Sequence, residues 1–195
     1  MHILFLSSRD YFGDLAYQAI SKLTHHSITS HFWNRNDTLR PKLSEWNGDW
    51  IISYRSDLIL TPVELNRATK GAINIHPAPP KYRGVGGYFW AIYNQDTIYG
   101  ATAHVMKPKL DSGNIIDYIE FPLHPNESVK GLAIQTGHTT LKLLVQILSF
   151  IQVYNHVSDI PTRPELFWGK RLYTYQDLEE LMKMERFSEL HPPSS

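Results

Sequence analysis

Short apolar runs alternate with helix-type patterns along residues 1–150, and this alternation limits the possible folds more than any other feature of the sequence. Each run has the length of a buried strand, and most of the segments between runs are long enough to hold a crossover helix. The predicted strands are 3–6, 28–33, 50–54, 71–76, 101–106 and 115–119, with the last two antiparallel. We therefore predict an α/β fold, a Rossmann-like and mostly parallel sheet with flanking helices.

Helical patterns fill the segments between these strands and continue after them. Thr61 before Pro62 and Thr174 before Asp177 are predicted N-caps, because a threonine hydroxyl can accept a backbone N–H at a helix start. The predicted helices are 14–23, 62–67, 88–93, 128–153 and one that begins near Thr174. These elements predict a main domain over 1–155 and a short C-terminal extension over 156–195. We expect the helix of the extension either to fold back on the domain or to pair in a homodimer, and residues 191–195 to be disordered.

Composition excludes several classes of function. The chain has 195 residues, and 19 Lys and Arg balance 19 Asp and Glu, so it lacks the broad positive charge typical of nucleic-acid-binding proteins. It contains no cysteine. Several histidines also lack the spacing to a carboxylate that would predict a metal site; they are His25, His26, His124, His138 and His156. The longest uncharged stretch, 143–158, is too polar to span a membrane, and the N-terminal apolar run is too short for a signal peptide. We expect a cytoplasmic protein without membrane or nucleic-acid partners.

Polar residues cluster where the fourth predicted strand ends. Asn74 and His76 are two residues apart, so both side chains project from the same face of that strand, and Pro77 ends it. In open α/β sheets the carboxyl edge is where ligands bind. Asp111 follows in a Leu-Asp-Ser-Gly turn that can bring its carboxylate back to His76. His104, on the strand before this turn, either contacts the substrate or packs against the loop.

A basic, glycine-rich loop follows Pro77. Lys81 and Arg83 add positive charge, and Gly84, Gly86 and Gly87 allow backbone N–H groups to converge on an anion. We predict that this loop binds a phosphate group of the substrate. The alternative is that the two cations serve the packing of the loop itself.

The residues Asn74, His76 and Asp111 together suit acyl transfer without a protein nucleophile. An amide N–H and an imidazolium N–H can stabilise an oxyanion, while a carboxylate orients and charges the imidazole. Each residue also has a structural alternative. Asn74 can close a strand-end hydrogen bond, His76 can be a buried histidine, and Asp111 can simply initiate the turn.

Three segments of the chain resemble the signature of the 10-formyltetrahydrofolate-dependent formyltransferases. They are Asn74-Ile75-His76-Pro77, the loop 81–84, and Leu110-Asp111-Ser112-Gly113-Asn114-Ile115-Ile116. The family includes glycinamide ribonucleotide, methionyl-tRNA and sugar N-formyltransferases, and the resemblance extends from residue 1 to about residue 150. It implies the formyltransferase fold, with residues 1–155 as the catalytic domain.

The resemblance also implies roles for individual residues. Asn74, His76 and Asp111 correspond to the catalytic triad of the family. The implied lining of the pterin pocket is Asp57, Leu58, Ile59, Leu60, Met106 and Leu110. The chain departs from the family at Ala78-Pro79-Pro80, which replaces a Ser-Leu-Leu-Pro segment and so alters the side of the site that holds the amine.

The implied reaction transfers the formyl group of 10-formyltetrahydrofolate, as co-substrate, to a primary amine. Methionyl-tRNA formyltransferases usually carry a second, basic domain, and only about 40 residues follow the long predicted helix here. We therefore expect a small phosphorylated amine, a nucleotide-linked amino sugar, with Tyr88 or Trp90 either stacking on the base or packing in the core. The alternatives are glycinamide ribonucleotide, methionyl-tRNA, hydrolysis of 10-formyltetrahydrofolate, and a non-catalytic folate- or nucleotide-binding module.

Overall fold

The computed structural model describes residues 1–184. Its strands are β1 (His2–Ser7), β2 (Ser27–Phe32), β3 (Gly48–Tyr54), β4 (Ala68–His76), β5 (Arg83–Gly84), β6 (Ile98–Val105), β7 (Ile115–Pro122) and β8 (Leu172–Tyr173). Its helices are α1 (Tyr11–Leu23), α2 (Pro62–Leu65), α3 (Gly87–Tyr93), α4 (Val129–Val153) and α5 (Tyr175–Met182), with a 3₁₀ turn at Val157–Asp159. The predicted α/β class is confirmed.

Six strands form the central sheet in the order β2-β1-β3-β4-β6-β7. The first four are parallel, whereas β6 is antiparallel to β4 and β7 is antiparallel to β6. The register places Ser53, Asn74 and His104 side by side on three neighbouring strands. Since directly opposed residues present their side chains on the same face, Asn74 and His104 meet at the carboxyl end of β4.

Both faces of the sheet are covered. Helices α1 and α4 cover one face, where Phe5, Ile52, Ile73 and Ile147 are fully buried. On the other face Leu4, Leu6 and Ile51 pack with residues from the segments 43–46 and 58–60. Complete burial of one such side chain contributes roughly 1.5–3 kcal/mol, so these clusters hold the strand ends of the site in place.

Two helix ends differ from the sequence prediction by more than one residue. Helix α1 begins at Tyr11 and not at Asp14, because the Asp10 carboxylate accepts the Gly13 N–H at 2.8 Å and caps the helix three residues earlier. Helix α2 ends at Leu65. The caps predicted at Thr61 and Thr174 are confirmed, and each forms a capping box with the acidic residue at the third helical position.

The C-terminal segment folds back on the domain. Strand β8 pairs with β5, and Leu181 of α5 is completely buried beside Tyr82 and Trp90. Of the two alternatives for this helix, the structure shows the intramolecular one. The predicted disorder of 191–195 lies outside the described residues. Within 1–184 no helix combines the length and apolarity needed to cross a membrane.

Candidate active site

Asn74, His76 and Asp111 lie together on the wall of a cavity of about 340 Å³ at the carboxyl end of β4. His76 and Asp111 are buried, whereas Asn74 is half-buried. A cavity of this size is within the range of small-molecule sites in proteins. The strand spacing thus brings the three residues together as the sequence predicts.

The carboxylate of Asp111 lies between two histidines. Its Oδ2 atom is 3.7 Å from Nδ1 of His76, and its Oδ1 atom is 3.3 Å from Nε2 of His104. The Gly84 N–H also donates to Oδ2 at 2.7 Å. Burial alone would raise the pKa of Asp111, but the charge of His76 and the hydrogen bonds from His104 and Gly84 outweigh it and hold this pKa well below its usual range.

The imidazole of His76 is fixed by a backbone carbonyl. Its Nε2 atom is 2.7 Å from the Tyr82 oxygen, and because a carbonyl oxygen only accepts, Nε2 carries the hydrogen. The other ring nitrogen then faces Asp111. The structure therefore differs from the sequence expectation that His76 points an N–H at an oxyanion, since both ring nitrogens face protein groups.

His104 supports the site from the neighbouring strand. Its Nδ1 atom is 2.9 Å from the Val105 carbonyl oxygen, which requires the hydrogen to be on Nδ1. Its Nε2 atom is 3.1 Å from Nδ2 of Asn74 and also faces Asp111. His104 is buried and contacts two members of the predicted triad, a role that the sequence left open.

Trp168 packs behind both histidines. Its ring is 4.8 Å from that of His104 at an interplanar angle of 85° and 6.1 Å from that of His76. The indole N–H donates to the Gly113 carbonyl oxygen at 2.7 Å. Trp168 thereby ties the histidines to the turn that carries Asp111.

The turn 110–113 places the Asp111 carboxylate through an unusual backbone. Asp111 has a φ of +42°, in the left-handed region that few non-glycine residues adopt. Gly113 leaves no room for a side chain, because a Cβ there would overlap the carbonyl oxygen of Val105. These two features explain the Asp-Ser-Gly order of the turn.

Lys81 and Arg83 of the basic loop make contacts other than those predicted, since both pair with protein groups. The buried Arg83 guanidinium donates to the carbonyl oxygens of Asp111 at 2.7 Å and Leu110 at 2.9 Å. The Lys81 ammonium pairs with Asp96 at 2.6 Å and lies outside the cavity. Neither cation lines the cavity, and the contacts of both match the alternative that they serve the packing of the loop.

The cavity wall contains the other residues that the sequence singled out. The predicted pterin-pocket residues Asp57, Leu58, Ile59, Leu60, Met106 and Leu110 all line it, as do Gly84, Gly86 and Gly87. Its cations are Arg55, which also pairs with Asp10 at 3.1 Å, and the exposed Lys107. Sequence reasoning missed both as cations of the cavity wall, although Arg55 directly follows β3 at the carboxyl edge of the sheet.

Two further lining residues, Tyr175 and Leu178, come from α5. Tyr88 also lines the cavity, whereas Trp90 packs in the core with its ring 4.7 Å from that of Tyr173. Among residues 1–184 no group of three or more His, Asp or Glu side chains could hold a metal ion. At the site itself, the amide of Asn74, the imidazoles of His76 and His104 and the carboxylate of Asp111 lie beside a wall that contains several apolar side chains.

The fold and this site define an α/β domain with an acid–base cluster at the sheet edge where ligands bind. Residues 14–148 match the family model described as formyl transferase, and the chain belongs to this family. The resemblance drawn from the sequence motifs is confirmed.

Individual relatives match parts of the chain. The methionyl-tRNA formyltransferase of Bacteroides fragilis is 28% identical over 122 residues, which are 61% of this chain and 36% of the relative. The phosphoribosylglycinamide formyltransferase of Haemophilus influenzae is 30% identical over 114 residues, 54% of each chain. The chain thus spans about a third of the length of the methionyl-tRNA formyltransferases and about half of the phosphoribosylglycinamide enzyme.

Solved structures share the fold over most of the chain. The formyltransferase PseJ from Anoxybacillus kamchatkensis, in complex with UDP-4,6-dideoxy-4-formamido-L-AltNAc and tetrahydrofolate, has a TM-score of 0.71 and 22% identity, covering 95% of this chain and 92% of that one. An N-formyltransferase from Helicobacter canadensis, in complex with folinic acid and dTDP-3-aminofucose, has a TM-score of 0.70 and 19% identity, covering 91% and 72%. At these identities the likeness establishes the formyltransferase fold.

Proposed function

We propose that the protein transfers the formyl group of 10-formyltetrahydrofolate to the primary amine of a small phosphorylated substrate, a nucleotide-linked amino sugar. The observation that carries this proposal is the buried Asp111 carboxylate between His76 and His104, with Asn74 beside it on the cavity wall. Leu58, Leu60, Met106 and Leu110 give the cavity the apolar surface that suits a flat heteroaromatic ring.

The reaction needs no covalent intermediate with the protein. 10-Formyltetrahydrofolate supplies an activated formyl group. The amine nitrogen forms a bond to the formyl carbon, the bond from that carbon to N10 breaks, and N10 gains one proton while the amine loses one. The products are a formamide and tetrahydrofolate, and the formyl oxygen carries negative charge in the transition state.

We assign the hydrogen bond to this oxygen to Asn74. An asparagine amide carries two hydrogens on Nδ2, which lies 3.1 Å from Nε2 of His104, and the side chain lines the cavity where the formyl group would lie. A pre-positioned donor of this kind stabilises charge that develops only in the transition state. In this assignment His104 orients the amide, and His76 holds the Asp111 carboxylate from the other side.

We assign an electrostatic role to Asp111. Because its pKa is held well below its usual range, the carboxylate stays ionised at neutral pH and is a poor proton acceptor. It stabilises the positive charge that appears on the attacking nitrogen, and the proton leaves to water. The alternative route, in which Asp111 itself accepts the amine proton, is disfavoured by this low pKa.

The amino-sugar assignment rests on the cavity and on the structural neighbours. Arg55 and Lys107 provide positive charge on the cavity wall for a diphosphate. The PseJ and Helicobacter canadensis structures contain nucleotide-linked sugars. Glycinamide ribonucleotide is the second candidate, because the Haemophilus influenzae phosphoribosylglycinamide formyltransferase is 30% identical over the matched segment.

A panel of amines tests the substrate class. Nucleotide amino sugars, glycinamide ribonucleotide and aminoacylated initiator tRNA are each offered with 10-formyltetrahydrofolate, and products are scored by the mass gain of one formyl group. We expect formylation of a nucleotide amino sugar. Formylation of glycinamide ribonucleotide alone, or of the tRNA alone, would contradict that class, and folate turnover without any amine would indicate a hydrolase.

A further inference from the structure

A part of the cavity wall comes from a segment that lies after the region matched by the family model. That match ends at residue 148, whereas Tyr175 and Leu178 line the cavity from α5. The same C-terminal segment also supplies Trp168 behind the histidines. The ligand-facing surface of this chain is therefore not limited to the matched region.

The position of α5 is fixed by several contacts. Strand β8 pairs with β5 next to the site, and a Cβ on Gly84, which has a φ of +86°, would overlap the Tyr173 carbonyl oxygen. Leu178 packs near Gly86, and Leu181 is completely buried. Since both main-chain and core contacts hold the helix, Tyr175 is a fixed part of the wall.

The side chain of Tyr175 contacts two other segments of the chain. Its hydroxyl interacts with the carboxylate of Asp57, one of the residues predicted to line the pterin pocket. The guanidinium of Arg35, from the segment between β2 and β3, lies 3.6 Å from the centre of the ring. Burial and the Asp57 charge raise the pKa of Tyr175 to about 12, so the hydroxyl stays protonated at neutral pH and can donate to Asp57.

We propose that Tyr175 contacts the folate co-substrate and determines the affinity of the cavity for it. The ring lines the cavity together with the stretch 57–60, and its hydroxyl interacts with Asp57 of that stretch, so we assign it to the folate side of the cavity. A planar aromatic surface suits contact with the reduced pteridine or the p-aminobenzoyl ring. This inference rests on the proposed function, because it takes the ligand of that side to be a folate.

The test compares three variants of the full chain with the wild type, using the stable analogue 5-formyltetrahydrofolate as probe. Tyr175→Ala removes the ring, and Tyr175→Phe keeps the ring but removes the hydroxyl. Phe167→Ala is the matched control, because Phe167 is an aromatic residue of the same segment, is 80% exposed and lies outside the cavity. Thermal unfolding of each variant is measured to check that the fold is retained.

Calorimetric titration gives the Kd, and steady-state kinetics give the KM of each substrate. We expect Tyr175→Ala to raise the folate Kd by about tenfold, Tyr175→Phe by about threefold or less, and Phe167→Ala not at all, with the amine KM unchanged throughout. An unchanged folate Kd in Tyr175→Ala, or a change in the amine KM alone, would overturn the inference. A wild type that does not bind the probe would instead defeat the proposed function together with it.

Discussion

The Oδ1 atom of Asp111 lies 3.3 Å from Nε2 of His104, and its Oδ2 atom lies 3.7 Å from Nδ1 of His76. Both side chains are buried, and the register of β4 and β6 also places His104 directly beside Asn74. His104 thus connects the amide and the carboxylate of the predicted triad. We regard it as a positioning residue, since it does not line the cavity in the described part of the chain.

The first prediction concerns this link. His104→Gln removes the imidazole between Asn74 and Asp111, and we expect kcat to fall about 10- to 100-fold with little change in the folate KM, because the lost hydrogen bonds orient groups that act in the transition state. Steady-state kinetics across pH measure this effect, and the pH profile of kcat should shift. A variant with wild-type kcat and an unchanged profile would show that His104 only fills space.

The second prediction separates Arg83 from Lys81. Arg83→Met leaves the Leu110 and Asp111 carbonyl oxygens without their buried donor, so we expect a loss of about 2–4 kcal/mol in the free energy of unfolding and a lower kcat. Lys81→Gln removes an exposed pair with Asp96 and should cost less than about 1 kcal/mol. Denaturant unfolding and the amine KM are measured for both. A selective rise of the amine KM in Lys81→Gln would restore the phosphate-binding role.

The third prediction tests the turn that carries Asp111. Gly113→Ala forces a methyl group against the Val105 carbonyl oxygen, and we expect a loss of about 1–3 kcal/mol in unfolding free energy together with reduced turnover. Ser112→Ala is the control in the same turn, since it removes only one hydrogen bond to the Lys109 carbonyl oxygen. Equal stability of the two variants would contradict the account of the turn.

The fourth prediction concerns acid stability away from the site. Arg40 contacts both carboxylate oxygens of Glu64, at 2.7 and 2.8 Å, and this contact, with the Thr61 hydrogen bonds, lowers the pKa of Glu64 from 4.5 to about 2. A carboxyl group whose pKa is lower in the folded state than in the unfolded state stabilises the fold at pH values above its unfolded-state pKa. This contribution is lost as the pH falls through the folded-state pKa.

The matching variant is Glu64→Gln. We expect the wild type to be more stable by about 1 kcal/mol at neutral pH and the difference to shrink between pH 4.5 and about 2. Urea unfolding of both proteins across this range measures it. A stability difference that stays constant with pH would show that the charge of Glu64 contributes nothing.

The residues predicted from the sequence are those whose placement depends on local pattern. Asn74 and His76 share a strand face because side chains alternate, and Asp111 belongs to a turn with a recognisable order. The contact between Asn74 and His104 depends on how β4 and β6 align, which a single sequence does not specify. The same holds for Arg83, whose charge suggested a ligand, whereas the fold directs it at backbone carbonyls.

Tyr175 shows a second limit of prediction from the sequence. The capping pattern at Thr174 predicts the helix correctly, and its fold-back was one of two alternatives. The helix reaches the cavity wall because β8 pairs with β5, which lies far from it in the sequence. Local patterns predict elements, and long-range contacts decide which of them reach a site.

The central claim is that the Asn74, His76 and Asp111 cluster stabilises the transition state of formyl transfer to an amine. The most direct test is single-turnover formation of the formamide by wild type, Asp111→Asn and His76→Ala with 10-formyltetrahydrofolate and a nucleotide amino sugar, with the Kd of 5-formyltetrahydrofolate measured alongside. We predict amine-dependent product in the wild type, and a rate lower by about 100-fold or more in each variant with a folate Kd changed by about threefold or less. Near wild-type rates in either variant, or tetrahydrofolate release that does not depend on the amine, would contradict the claim.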